Sequence, residues 1–227
     1  MGFDLNKGEV IDAGSSFDLN KGSAGTQLKI AGVGLGWNAN DDENGPVFDL
    51  DVSAFCLGED GQIPAMTDLV YFNSKLTTKF QPEDEEERPY STDGAVFGAI
   101  DELEGSDDED EAGDAEDMRI ILDEVADNIK EIVIVVTITK FPHDEEKDRR
   151  TLDLDFSQVE GCYCRVWDFD TDEPLCTFEL DTDFGKEDAV VFGKFSKDSS
   201  NNWNFTAIGE GHVGGLPKLI SIYASKF

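Results

Sequence analysis

Between Val47 and Phe55 the chain alternates. Phe48, Leu50, Val52 and Ala54 fall on one side of an extended segment, and Asp49, Asp51 and Ser53 on the other. A period of two marks a strand with one face in a core. EIVIVVTI (131–138) is apolar on both faces, the pattern of a central strand covered twice. LKIAGVGLGW (28–37), LVYFN (69–73), CYCRVWDF (162–169), PLCTFEL (174–180), AVVFGKF (189–195) and WNFTAIG (203–209) are further β-rich runs with turn residues between them. This short, repeated spacing predicts an all-β fold, a two-sheet β-sandwich with a few short helices. Helical patterning is confined to ILDEVADNIK (121–130), enough for one or two turns, and LPKLISIYA (216–224), a terminal helix.

FDLNKG occurs at 3–8 and again at 17–22. Two copies of six residues do not make a solenoid. They read as two similar edge strands or strand-turn units, so residues 1–27 form an N-terminal strand-turn extension and residues 28–227 the sandwich domain. PEDEEE (82–87) and PHDEEKDRR (142–150) are solvated loops by composition. The tryptophans Trp37, Trp167 and Trp203 are expected in the sandwich core. Cys162 and Cys164 lie two apart on a strand and so share a face. With Cys56 and Cys176 they read as small apolar residues of a reducing compartment. The C-x-C spacing, with two histidines in the chain and neither nearby, serves zinc poorly.

Charge changes this picture. The 227 residues carry 51 acids against 18 bases, a formal net charge of -33. Such a surface repels phosphate backbones and anionic bilayers, which argues against nucleic-acid and membrane partners. Within an acidic insertion at 80–117, the stretch Glu83–Asp117 holds 17 acids and one base, Arg88. The charge is therefore a local feature. No basic start followed by an apolar block opens the chain, and the longest apolar run is far too short to span a bilayer. The expectation is a soluble, cytoplasmic protein.

On a strand, Asp49 and Asp51 have Cα atoms about 6.6 Å apart and point the same way. Two unit charges at that separation repel by roughly 0.6 kcal/mol in water and about 2.5 kcal/mol at an effective dielectric of 20. Facing solvent, the pair is tolerable. If acidic loops crowd it and exclude water, a divalent cation would reverse the sign of the interaction. Ca2+ suits such a site, because it takes six to eight oxygens in forgiving geometry. Three segments with glycines nearby are placed to converge: Asn38–Asn44, Asp49–Asp51 and Asp101–Asp117, the last containing Asp110. An EF-hand is excluded. Starting at Asp108 puts Gly113 sixth, but Arg119 stands twelfth, where a bidentate Glu is required.

GVGLGW (32–37), FDLDVSAF (48–55) and VVFGKF with WNFTAIGEGHVGGL (190–216) resemble the TerD-type tellurium-resistance family of bacterial stress proteins. The resemblance runs in order from about Leu28 to Tyr223. It implies a β-sandwich that binds calcium through acidic loops and has no established enzymatic activity. Carried over residue by residue, it makes Asp49 and Asp51 the DLD pair, Asp101 the first acid of the family's G-D-N-x-T-G loop, and Gly113, Asp114 and Glu116 its G-D-D-E element. Asn38 stands where the family has Asp after the Trp, Ala115 where it has a second Asp, and an acidic insertion around 106–112 splits the loop. These departures imply a divergent member, of a kind a phage could carry. The metal candidates are thus Asn38, Asp49, Asp51, Asp101, Asp110, Asp114 and Glu116, with Ca2+ as cofactor.

The function expected is a calcium-binding, non-enzymatic stress module whose loops, once ordered by the ion, present a protein-interaction surface. Other tellurium-resistance components are the natural partners on that resemblance. The alternative is a metal-independent acidic decoy, a nucleic-acid mimic for a basic protein, whose association would be fast and salt-sensitive. Enzymatic chemistry is disfavoured. His143 and His212 have no readable nucleophile partner, and the glycine-rich GEGHVGGL turn follows a strand near the chain end, where a phosphate loop would not sit.

Overall fold

Strand β10 (Glu131–Ile138) lies at the centre of a six-stranded sheet, and its alternation sets two cores at once. Ile132, Ile134, Val136 and Ile138 face the sandwich interior, while Val133 and Val135 face outward under the terminal helix α1 (Gly215–Tyr223). This is the doubly covered strand its sequence predicts. The computed structural model describes residues 9–19, 28–40, 47–103, 105, 113–139, 154–180, 184–200 and 202–227.

In the β10 sheet the order is β2 (Ser16–Asp18), β14 (Trp203–His212), β13 (Ala189–Lys197), β10, β4 (Leu50–Leu57), β5 (Leu69–Val70). The facing sheet runs β1 (Glu9–Val10), β12 (Glu173–Glu179), β11 (Tyr163–Asp168), β3 (Ile30–Gly36), β9 (Glu116–Ile121), β8 (Val96–Phe97). A two-stranded flap, β6 (Thr77–Thr78) with β7 (Arg88–Pro89), completes the described strands. Between the sheets Val33, Leu35, Met118, Ile120, Cys164 and Val166 meet the inner row of β10 in one continuous core. All four cysteines are buried there as small apolar residues, none of them in a disulfide.

Residues 9–19 cross from one sheet to the other. β1 pairs in parallel with β12, and β2 pairs antiparallel with β14. Ile11 and Leu19 are buried on the way, and the backbone bonds of Gly14 and Ser15 to Ala207 hold the crossing. The first FDLNKG copy lies outside the described residues; Phe17 and Asp18 of the second form part of β2.

The expected helix at 121–130 is not formed. Ile121 ends β9, and two tight turns follow, closed by Glu124 N–H to Ile121 O (3.0 Å) and Ile129 N–H to Ala126 O (2.9 Å). Leu122, Val125 and Ile129 are all buried, so their helix-like spacing of three and four serves successive turns instead. Trp37 and Trp203 lie in the core, their indole N–H groups donating to Phe48 O (3.0 Å) and Leu122 O (2.9 Å). Trp167 does not join them. It lies on the outer face of the β11 sheet, beneath the Arg165 guanidinium at 4.8 Å.

The alternating glycines of GVGLG explain that outer face. Gly32, Gly34 and Gly36 share one side of β3, opposite Trp167, Arg165 and Tyr163 of β11. Without Cβ atoms they leave a lane in which Trp167, the Asp114 carboxylate and Tyr163 lie flat; a Cβ at Gly32 would stand 2.2 Å from the Trp167 ring. Gly32→Ala is therefore expected to lift Trp167 and lower stability by about 1–3 kcal/mol. A lower melting temperature with a red shift in tryptophan emission is the expected result.

Candidate metal centre

The outward row of β4 continues from Phe55 through Ser53 and Asp51 to Asp49 just before the strand. All of it is buried: Ser53 is 0% exposed, Asp49 1% and Asp51 2%. The strand is covered on both faces, so these polar side chains are not the solvent-facing row that alternation alone allows. Register explains the neighbours. Asp51 is opposite Thr137 on β10, and Thr139 N–H donates to Asp49 O at 2.8 Å. The Thr139 hydroxyl donates to Asp51 Oδ2.

Asp101 closes the cluster. Asp49, Asp51 and Asp101 each offer a carboxylate oxygen, and these oxygens all lie within 4.8 Å of one another. If fully ionised, each pair at that distance would repel by about 3 kcal/mol at an effective dielectric of 20. Two of these carboxyls are held above the ordinary carboxylate range. Asp51 is pushed up to about 7, chiefly by burial; the Thr139 hydrogen bond opposes the shift, and the charge of Asp101 and its hydrogen bond with Asp51 add to it. Asp101 is also raised, first by its own burial and then by Glu102. Asp51 is thus the proton holder of the pair.

Glu116 stands behind this group, between the sheets. Its Oε2 accepts Val52 N–H at 2.8 Å and its Oε1 accepts Glu102 N–H at 3.4 Å. β5 pairs with β4 only at Ala54 and Phe55, so Glu116 takes up a donor beyond the reach of that edge strand. Burial, then the charge of Asp51, raises Glu116 well above the usual carboxylate range. Asp51 Oδ1 and Ser53 Oγ are among the polar atoms buried here with no hydrogen-bond partner among the described residues. A buried acceptor left without a partner costs about 1–3 kcal/mol, which a cation would relieve. An all-oxygen set of this kind suits a hard ion such as Ca2+ and not a thiophilic one.

The remaining candidates are placed elsewhere. Asp114 lies on the outer face of the other sheet, where Arg165 holds it through Nε (2.8 and 3.0 Å) and Nη2 (2.7 Å). Burial would pull Arg165 down, but its hydrogen bonds and attraction to Asp114 leave it raised. Asn38 is exposed; its N–H donates to Glu160 O at 3.0 Å, and its side chain rests against Gly161. Asp110 lies outside the described residues. The sequence reading missed Ser53 and Thr139. Ser53 shares the period-two face with both aspartates, which is a usable signal. Thr139 belongs to the site only through the pairing of β10 with β4.

Residues 1–223 match the family model described as the TerD domain. The tellurium resistance protein TerD of Serratia marcescens is 32% identical over 213 residues, covering 94% of this chain and 95% of that protein. General stress protein 16U of Bacillus subtilis is 31% identical over 210 residues, 92% of this chain and 94% of its own. Among solved structures, a homologue of the telluride resistance protein from Streptomyces coelicolor A3(2) superposes with a TM-score of 0.60 at 20% identity, over 86% of this chain and 96% of its own. That likeness concerns the fold alone.

The proton on Asp51 gives the metal-free protein a pH dependence of definite sign. Its folded value is about 7 against an ordinary 3.8, so between those values the folded state holds a proton the unfolded chain has released. The stabilisation is complete below about pH 4 and lost as pH rises through 7, at about 1.4 kcal/mol per pH unit. Chelator-treated protein should therefore melt at progressively lower temperature from pH 4.5 to 7.5. Asp51→Asn should flatten the trend.

Proposed function

This chain belongs to the TerD-domain family, whose members include tellurium-resistance and general-stress proteins, and on that footing we propose that it is a calcium-binding, non-enzymatic module whose ion-ordered acidic loops present a surface to a partner protein. The observation that carries the proposal is the orphaned, buried Oδ1 of Asp51 inside a cluster of three carboxylates. Asp49, Asp51 and Asp101 would hold the ion, and its two positive charges would take the place of the shared proton. Ca2+ takes six to eight oxygens, so carbonyls, water or a partner's oxygens would complete its shell.

The same geometry favours a non-catalytic role. Glycosidase carboxylates flank an accessible bond about 5–9.5 Å apart. Here the ligand oxygens are closer together, and two of the three acids are closed off from solvent. Asp101 and Glu116 both belong to the acidic 80–117 region, Asp101 at the cluster and Glu116 through Glu102 N–H. Neutralising the cluster would thereby act on the loop between them.

Calcium should raise the melting temperature of the metal-stripped protein. At a hundred times the dissociation constant the gain is about 2.7 kcal/mol. Asp49→Asn and Asp51→Asn should remove most of that rise. Asp114→Asn, which breaks only the Arg165 pair, should keep it. A melting temperature indifferent to millimolar calcium would overturn the proposal. Partner capture that persists unchanged in chelator would favour the metal-independent acidic decoy instead.

A further inference from the structure

Beyond β5, at the edge of the β10 sheet, a hollow of about 320 Å3 lies between the turn after β5 and the base of the β6–β7 flap. Hydrogen bonds hold its walls. Ser74 closes the turn: its hydroxyl donates to Leu69 O (3.1 Å) and accepts Tyr71 N–H (3.1 Å), and its own N–H donates to Tyr71 O (3.0 Å). On the flap side Tyr90 N–H donates to Leu76 O (3.0 Å), and the Tyr90 ring stacks on Phe97 with centroids 6.1 Å apart. The Thr67 and Thr92 hydroxyls share a hydrogen bond of 2.7 Å, which ties the segment of Met66 to that of Tyr90. A hollow whose walls are tied before anything enters is the usual form of a small-molecule site.

The lining has a definite chemistry. Met66, Leu76 and the side chains of Tyr71 and Tyr90 make it mainly apolar, with two aromatic rings among them. Lys75 carries its single charge, and Asn73 adds an amide. Among the described residues no carboxylate lines the hollow, and no acid is paired with Lys75. That is a departure for a chain in which acids outnumber bases 51 to 18. The hollow therefore has a local sign opposite to that of the whole molecule. Apolar walls with aromatic rings and one ammonium match a flat apolar body that bears one negative group. A single ammonium neutralises a carboxylate but leaves a phosphate dianion half uncompensated.

We propose that this hollow binds a small aromatic carboxylate, its ring against Tyr71, Tyr90, Met66 and Leu76 and its carboxylate on Lys75. The volume is at the small end of ligand pockets and suits a body of roughly one or two rings. The site shares no residue with the carboxylate cluster, so the proposal does not rest on calcium. Ligand charge is the discriminating variable. The formal net charge of -33 favours cations over anions at the surface as a whole, and only a local site can reverse that order.

The probes are naphthoate, its uncharged amide and naphthylmethylamine, each titrated into the full chain by calorimetry at physiological ionic strength in the presence of chelator. Naphthoate should bind about tenfold tighter than the amide, and the amine should bind weakest. Lys75→Gln should bring naphthoate to the level of the amide, and Lys75→Arg should keep most of the preference. Lys75 is exposed, so both variants should melt as the parent does. Lys130→Gln, which removes an exposed lysine from the lining of a different hollow, should leave the preference intact. An amine that binds as tightly as the acid overturns the proposal. So does a preference for naphthoate that survives Lys75→Gln, or the absence of saturable binding by all three probes. Because the titrations are run without calcium, none of these outcomes bears on the metal centre.

Discussion

The constraint on which the site depends is the burial of like charges on one strand. Asp49 and Asp51 are forced to the same side of β4 by its pleat, and the layer over the β10 sheet removes that side from water. Neither fact is costly alone. Together they leave two acids, with Asp101 beside them, where full ionisation is strongly opposed. Asp51 and Asp101 respond by holding their protons more tightly than ordinary carboxyls. Asp101 and the bond from Glu102 N–H to Glu116 set the cluster against the two described ends of the acidic region.

The rest of the negative charge is handled differently, and the contrast is informative. Asp114 meets Arg165 in a two-pronged pair, and Asp117 meets both Arg88 (2.7 Å) and Arg119 (3.1 Å). Arg119 is in turn held between the rings of Phe80 and Phe169, each 4.7 Å away. Arg88, Arg119 and Arg165 are thus used on the outer face of the β11 sheet, where they fasten the flap region and fill the glycine lane. Among the described residues no arginine or lysine is paired with Asp51 or Asp101. The separation between compensated and uncompensated acids is a property of the fold and follows no boundary in composition.

Much of the fold was legible because it is written in period two. The alternation in 47–55, the unbroken apolar run of β10 and the spaced glycines of β3 each specify a strand and its faces locally. The 121–130 segment misled for a definite reason: Leu122, Val125 and Ile129 keep the spacing of a helix while the backbone makes two separate turns into the core. The candidate site was only half legible. Asp49 and Asp51 announce themselves as a pair, and family resemblance added Asp101. That Asp114 would be claimed by Arg165, and that Thr139 would reach Asp51, depend on which strands become neighbours. Such contacts span distances over which a local pattern carries no information.

The strap at residues 9–19 has a consequence for how the molecule comes into being. Its strands pair with β12 and β14, and the Ser16 hydroxyl bonds Phe205 O across a separation of 189 positions. The strap can therefore dock only after a strand 189 positions later in the chain has been made. Until then the edges of β12 and β14 stay open, and neither sheet has its final border. Pairing of the strap with β12 and β14 is thus a long-range step that is intrinsically slow. A nascent or truncated chain that has lost the strap would expose strand edges in both layers, the features most prone to pairing with another molecule.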